Sequence, residues 1–251
     1  MGKGIRSIIK NSIEFFREKL SKENEELSFY IIILISFIVF VIGTNLFVEL
    51  SEEVTGNSVE NFDRSVTEYV TSFRSPGLTS FFIFITDMGD VYAYIAAMIL
   101  VTIFLFVKLR SWKFIFQLLG VLVLSALSNI ALKKVFDRAR PTEEHLVVIE
   151  SLSYPSGHAM SAMAFYGFLI YLLYQIKMNN IVRVLLSVVF ALLILFIGLS
   201  RIYLGVHFPS DVAGGFIAGL IWVAFCIVLF NVIDLLRKRN RTEVEENLET
   251  E

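Results

Sequence analysis

Long apolar stretches separated by short polar ones dominate the chain from residue 28 to residue 236. Apolar runs of roughly 17–25 residues match the bilayer's hydrocarbon thickness at a helical rise of ~1.5 Å per residue. The pattern therefore predicts an all-α, polytopic membrane protein with six spans. These are Ser28 to about Val48, Val91–Val107, Phe114–Leu132, a run opening at Pro155 and ending near Ile176, Val184–Leu199, and Asp211–Leu236. Residues 1–27 are charged, with Ile5, Ile8, Ile9, Ile13 and Phe16 at roughly helical spacing. They read as a leader that is either a surface helix or disordered. An acidic segment, 49–60, precedes an amphipathic helix over 61–74, with Phe62, Val66, Tyr69, Val70 and Phe73 on one side and Asp63, Arg64 and Glu68 on the other. Leu78–Ile85 is apolar but short, and Thr86-Asp87-Met88-Gly89-Asp90 interrupts it. The tail, 237–251, is charged and expected to be frayed or disordered.

Composition supports this reading. The chain is 56% hydrophobic, against ~45–50% for soluble domains. No Lys/Arg block points to nucleic acid, and the net charge of -2 carries no message. The single cysteine, Cys226, sits inside an apolar run, excludes an intrachain disulfide and reads as a packing residue. The first apolar run starts behind a charged segment and lacks a small-x-small ending, so no cleaved signal peptide is expected. Basic residues concentrate in the N-terminal segment, Lys108–Lys113, Lys177–Arg183 and Arg237–Arg241. By the positive-inside rule both termini are then cytoplasmic, and 61–74, Lys133–His158 and Ser200–Asp211 share the extracytoplasmic face. The basic segment Lys133–Arg140 runs against that count and is set aside as functional. Gly215 and Gly219, four apart in the last span, read as a close-packing pair.

Three polar clusters converge on that face: Lys133 to Arg140-Pro141, Pro155-Ser156-Gly157-His158, and Ser200-Arg201 to His207 and Asp211. Charged groups at a membrane boundary are costly unless paired or functional. Lys133 and Arg140, seven apart and thus on one helix face if the helix persists, form with Arg201 a pocket for a dianion. Pro155 stiffens the entry to the fourth span, Ser156 is a candidate N-cap, and Gly157 lets backbone N–H groups approach an anion. A carboxylate at Asp211 on the Nδ1–H of His207 frees Nε2 as nucleophile or base. A histidine nucleophile beside three cations points to phosphoryl transfer, with His158 as acid for the leaving oxygen. No carboxylate-rich cluster adjoins these motifs, so no metal or other cofactor is expected.

Lys-x6-Arg-Pro, Pro-Ser-Gly-His and Ser-Arg-x5-His-x3-Asp, in this order and with these spacings, resemble the three-part signature of the type 2 phosphatidic acid phosphatase (PAP2) superfamily, related to vanadium haloperoxidases. The resemblance spans about half the chain, from the third to the sixth span. It implies a six-helix membrane phosphatase with His207 as nucleophile, Asp211 orienting it, and His158 as acid and then base. Lys133, Arg140, Ser156, Gly157 and Arg201 would hold the phosphoryl group. Lys134 and Arg138 lie outside the signature and receive no catalytic role. The implied substrate is a membrane lipid phosphate. An outward site puts undecaprenyl pyrophosphate first, with phosphatidylglycerol phosphate and phosphatidic acid as alternatives. A lipid phosphotransferase on the same site, and a non-enzymatic lipid-phosphate binder, are the competing classes.

Overall fold

The computed structural model describes residues 25–110, 112–142, 145–147 and 151–249. The expected leader, apart from its last residues, lies outside them. The regular elements are helices: α1 (Glu25–Thr55), α2 (Glu60–Thr71), α3 (Pro76–Asp87), α4 (Val91–Leu109), α5 (Lys113–Phe136), α6 (Gly157–Gln175), α7 (Asn180–Tyr203) and α8 (Pro209–Glu249). Five are long and apolar enough to cross a membrane, and the α3–α4 pair, bent by 59°, makes a sixth candidate. The short run Leu78–Ile85 is thus one arm of this bent pair. The break falls where Met88-Gly89-Asp90 replaces apolar residues. Helix α1 continues through the acidic segment to Thr55, and α8 runs into the charged tail as far as Glu249.

The chain divides into two compact units, residues 1–39 with 227–251, and residues 40–226. The second holds the site. At its centre is α6, the most buried of the candidate spans. Its small residues, Ala159, Ala162 and Ala164, are fully buried and let neighbouring backbones come close. Helix α8 presses Gly215 and Gly219 into that surface. A Cβ on Gly215 would stand 2.6 Å from the Ser156 carbonyl oxygen, and one on Gly219 2.5 Å from that of Met160. At the far end of α6, Arg183 donates to the Leu173 and Ile176 carbonyls, both at 3.1 Å, and closes the turn into α7. Apolar side chains such as Phe84, Ile99, Phe116 and Leu185 face outward, as lipid-facing positions do.

Helix α2 forms where the sequence expects an amphipathic helix, ending at Thr71, and its aromatic side is the exposed one. The aromatic residues Phe62, Tyr69 and Phe73 are 57%, 67% and 54% exposed, whereas Asp63 is 1% exposed and Thr67 is buried beside it. A carboxylate, not an aromatic side, is docked into the protein, because it has hydrogen-bond donors waiting for it there.

Candidate active site

Helix α7 ends by delivering Arg201, 2% exposed, to one end of the bundle. The chain then turns through Gly205, whose φ of 78° suits a residue without a Cβ. The N–H groups of Val206 and His207 both donate to the Arg201 carbonyl, at 3.1 and 3.2 Å, which returns His207 to the same helix end. Pro209 opens α8 and sets Asp211 in its first turn, fully buried. Asp211 Oδ2 lies 3.3 Å from His207 Nδ1 and accepts from the Phe208 N–H at 2.8 Å and from Ser153 Oγ at 2.5 Å. On the other side of the ring, Nε2 is 3.3 Å from Arg140 Nη1. A guanidinium only donates, so Nε2 accepts and Nδ1 carries the hydrogen towards Asp211. Burial pushes the His207 pKa down to about 3; Asp211 opposes this shift, and Arg140 and Arg201 add to it. The ring is neutral near pH 7, with its lone pair available on Nε2.

Lys133 arrives from the last turn of α5 and donates to the Leu152 carbonyl. The helix does not persist to Arg140. It ends at Phe136, with Asp137 in the left-handed region at φ 45°, so Arg140 reaches the site from a segment without regular structure rather than two turns along one helix face. Its guanidinium is fastened by the Ser151 and Val206 carbonyls, both at 2.5 Å, and by Ser151 Oγ at 2.9 Å. Burial lowers its pKa while Asp211 opposes, and it remains a cation.

Ser156 caps α6, its Oγ accepting from the Ala159 N–H at 3.5 Å. The residue is fully buried and its side chain is committed to that cap, so the structure does not bring it to the cavity wall. Gly157 and His158 do reach the wall. Asp90, at the start of α4, makes no capping bond with its side chain. Its Oδ1 lies 2.8 Å from His158 Nε2, an ion-pair distance without hydrogen-bond alignment.

Lys133, Arg140, Gly157, His158, Arg201 and His207 all line one cavity of about 340 Å³, joined by Thr86, Asp87, Asp90, Asn129, Val147 and Ser151. Arg201 Nη1 is held by Thr86 Oγ1 at 2.5 Å, while its buried Nε has no partner. Three cations around one small cavity repel each other, and an anion between them relieves that repulsion. Alongside runs an apolar groove of about 450 Å³ between α4 and α5, lined by residues such as Tyr94, Met98, Leu122 and Ala126, with Ser161 of α6.

A PAP2 superfamily model matches residues 114–233, which include every site residue expected from the sequence. Phosphatidylglycerophosphatase B of Bacillus subtilis is 31% identical over 180 residues, covering 70% of this chain and 86% of that protein. This chain belongs to the PAP2 superfamily. An undecaprenyl-diphosphatase of Sulfolobus acidocaldarius is 27% identical over 202 residues, covering 80% of this chain and 90% of its own length. Among solved structures, the transmembrane PAP2-type phosphatidylglycerolphosphate phosphatase from Bacillus subtilis superposes with a TM-score of 0.71 at 28% identity. That match covers 76% of this chain and 95% of the other.

Within this PAP2 site, sequence reasoning missed Asp90, Thr86 and Asn129, and it passed over Asp63, Arg138 and Ser153. Asp90 did leave a signal, a carboxylate in a five-residue polar break between apolar runs. Asn129 left a fainter one, an amide inside an apolar run; its Nδ2 donates to the Pro155 carbonyl at 3.1 Å and braces the start of α6.

Proposed function

We propose that this chain dephosphorylates a membrane lipid phosphate through a phosphohistidine on His207. The observation that carries the reading is the His207 ring itself. It is backed on Nδ1 by a buried carboxylate and presents Nε2 beside Arg140 in a cavity shared with Lys133, Arg201 and His158. Nε2 attacks phosphorus as the bond from phosphorus to the lipid oxygen breaks, and His158 gives that oxygen its proton. Lys133, Arg140 and Arg201 disperse charge on the equatorial oxygens, with the Gly157 backbone beside them. Water then attacks the phosphohistidine, His158 takes its proton, and inorganic phosphate leaves with His207 neutral again.

The adjoining apolar groove supports a lipid substrate. Its walls, α4, α5 and α6, are the helices whose ends carry Asp90, Lys133 and His158, so a head in the cavity places a hydrocarbon chain beside the groove. A glycerolipid phosphate leads among substrates, because the relative at 31% identity is named for phosphatidylglycerophosphate. The polyprenyl pyrophosphate that the sequence put first comes second, supported by the archaeal relative's name.

Purified protein in detergent micelles should release phosphate from phosphatidylglycerol phosphate, undecaprenyl pyrophosphate or phosphatidic acid, equally well in EDTA. A His207→Asn variant should lose ~10³-fold or more in kcat, as triad-type nucleophiles do. Acid-labile labelled phosphate should be trapped on the wild type and not on the variant. Full turnover by His207→Asn overturns the nucleophile, and absence of wild-type turnover on all three lipids overturns the phosphatase.

A further inference from the structure

Behind the nucleophile lies a charged network in which Asp211 meets Arg138 and Asp63, two residues outside the signature positions. Arg138 Nη1 donates to Asp211 Oδ1 at 2.7 Å and to Ser210 Oγ at 2.8 Å, and its Nη2 donates to Asp63 Oδ2 at 2.8 Å. Asp63 also accepts from the Ser210 N–H at 2.8 Å and from Ser210 Oγ at 2.5 Å. The guanidinium lies over the Phe208 ring, 4.4 Å from its centroid. Both carboxylates are buried, and one guanidinium serves the pair. The shared guanidinium offsets the repulsion between the two carboxylates that it bridges.

We propose that Asp63 and Arg138 are positioning residues for the nucleophile, a carboxylate–guanidinium–carboxylate relay through which the surface helix α2 holds Asp211 and thereby aims His207. The relay rests on the phosphatase reading of the same site and assigns parts of it that lie outside the signature. Asp211 has two oxygens with separate duties. Oδ2 faces the imidazole, the Phe208 N–H and Ser153, and Oδ1 takes the Arg138 fork. Fixing Oδ1 stops the carboxyl group from rotating about its last bond, which sets the direction of the Nδ1 contact and hence of the Nε2 lone pair. Asp63 holds the other arm of the fork and the first-turn N–H of α8, so the fork cannot pivot and the helix that carries Asp211 cannot slide. Neither residue touches the cavity where phosphate would sit. Their loss therefore acts on the rate of attack and not on the binding of substrate.

Arg138 also lines a second cavity of about 670 Å³, between the start of α2 and the segment after α5. A small cation can enter there, which makes chemical rescue possible. The experiment compares wild type, Arg138→Ala and Asp63→Asn on one lipid phosphate in micelles, with and without guanidinium at tens of millimolar. A misaligned nucleophile costs on the order of 10²-fold. Arg138→Ala should lose about that much in kcat, and Asp63→Asn about tenfold, with KM within about threefold in both. Guanidinium should restore Arg138→Ala by about tenfold or more and leave the wild type and His207→Asn unchanged. If Arg138→Ala does not fold, Asp63→Asn and Arg138→Lys carry the test, since a lysine cannot bridge both carboxylates and should also lose kcat at constant KM. Variants that keep kcat within about twofold, or that lose only through KM, overturn the relay while leaving the phosphatase standing. Absence of wild-type turnover overturns both.

Discussion

His158 and His207 face one cavity, and the proposed mechanism gives them opposite duties. His207 must be neutral to attack, and its buried ring, with Nδ1 to Asp211 and Nε2 to Arg140, suits that. His158 must hold a proton for the leaving oxygen, and Asp90, 2.8 Å away, is the anion beside it. A leaving group that departs readily needs no acid, so the two roles separate experimentally. His158→Ala should slow an alkyl lipid phosphate by ~10²–10⁴-fold, as loss of a general acid does, yet slow p-nitrophenyl phosphate by about tenfold or less. Equal losses on both would remove His158 from the leaving-group step. Burial of His207 also has a consequence for stability. Its pKa is depressed in the folded protein, so the unfolded chain binds the proton first and stability is lost as pH falls below ~6.5, the ordinary imidazole value. The linkage amounts to at most about 2 kcal/mol at pH 5. Thermal unfolding in detergent should show a falling Tm from pH 7 to pH 5, and a shallower fall for His207→Gln. Identical slopes would mean that the ring is not held neutral. The motif residues that line the cavity were legible because each motif is short and its spacing is intact. Their supporting partners were not, because Arg138 meets Asp63 and Asp211 across 75 and 73 positions, and no local pattern records such a pair.

Among the elements, the spanning helices follow from hydrophobic runs alone, whereas the breaks between them do not. Lys133 and Arg140 would share one helix face if the helix persisted, and nothing before Pro141 forbids that. The left-handed Asp137 breaks it and lets Arg140 swing back to the Val206 carbonyl. Helix α2 forms where the periodicity expects it, but the periodicity does not give its docked side. Amphipathic periodicity marks a helix with two unlike sides but does not say which side the protein wants, and here the donors of Ser210 and Arg138 claimed the Asp63 side. The α6–α8 contact is the element-scale feature on which the site depends most. Gly215 meets the carbonyl of Ser156, the residue that caps α6 just before Gly157 and His158. A Cβ there presses on backbone, which cannot rotate away. Gly215→Ala should therefore cost about 1–3 kcal/mol, as overpacking does, and should lower kcat by shifting His158. Tm and turnover measured together decide this. A variant with unchanged Tm and activity would show that the α6 start can move without consequence.

For the membrane domain as a whole, the open question is which leaflet supplies the substrate. Helices α6 and α7 join at the turn 176–179, and the site lies at their other ends, Gly157–His158 and Arg201. Nineteen residues of α6 at ~1.5 Å each place that turn about 28 Å away, roughly a hydrocarbon thickness. Site and turn are thus separated by enough helix to reach opposite membrane faces. The turn carries Lys177 and α7 opens with Arg183, and the positive-inside rule predicts from them a cytoplasmic turn and an outward site. The contrary signal, Lys133 to Arg140, loses weight because three of its cations are engaged in the site: Lys133 on the Leu152 carbonyl, Arg138 on two carboxylates, and Arg140 beside His207. Only the exposed Lys134 remains as an ordinary interfacial charge among them. The natural cysteine, Cys226, is fully buried, so single introduced cysteines can be read cleanly. Ser58, in the exposed turn before α2, and Lys177 are suitable positions. On intact cells a membrane-impermeant maleimide should label Ser58→Cys, and should label Lys177→Cys only after permeabilisation. The reverse pattern would turn the site inward and supply it from the cytoplasmic leaflet. It would also remove the outward-site argument for a polyprenyl pyrophosphate and leave only the Sulfolobus relative's name in its favour.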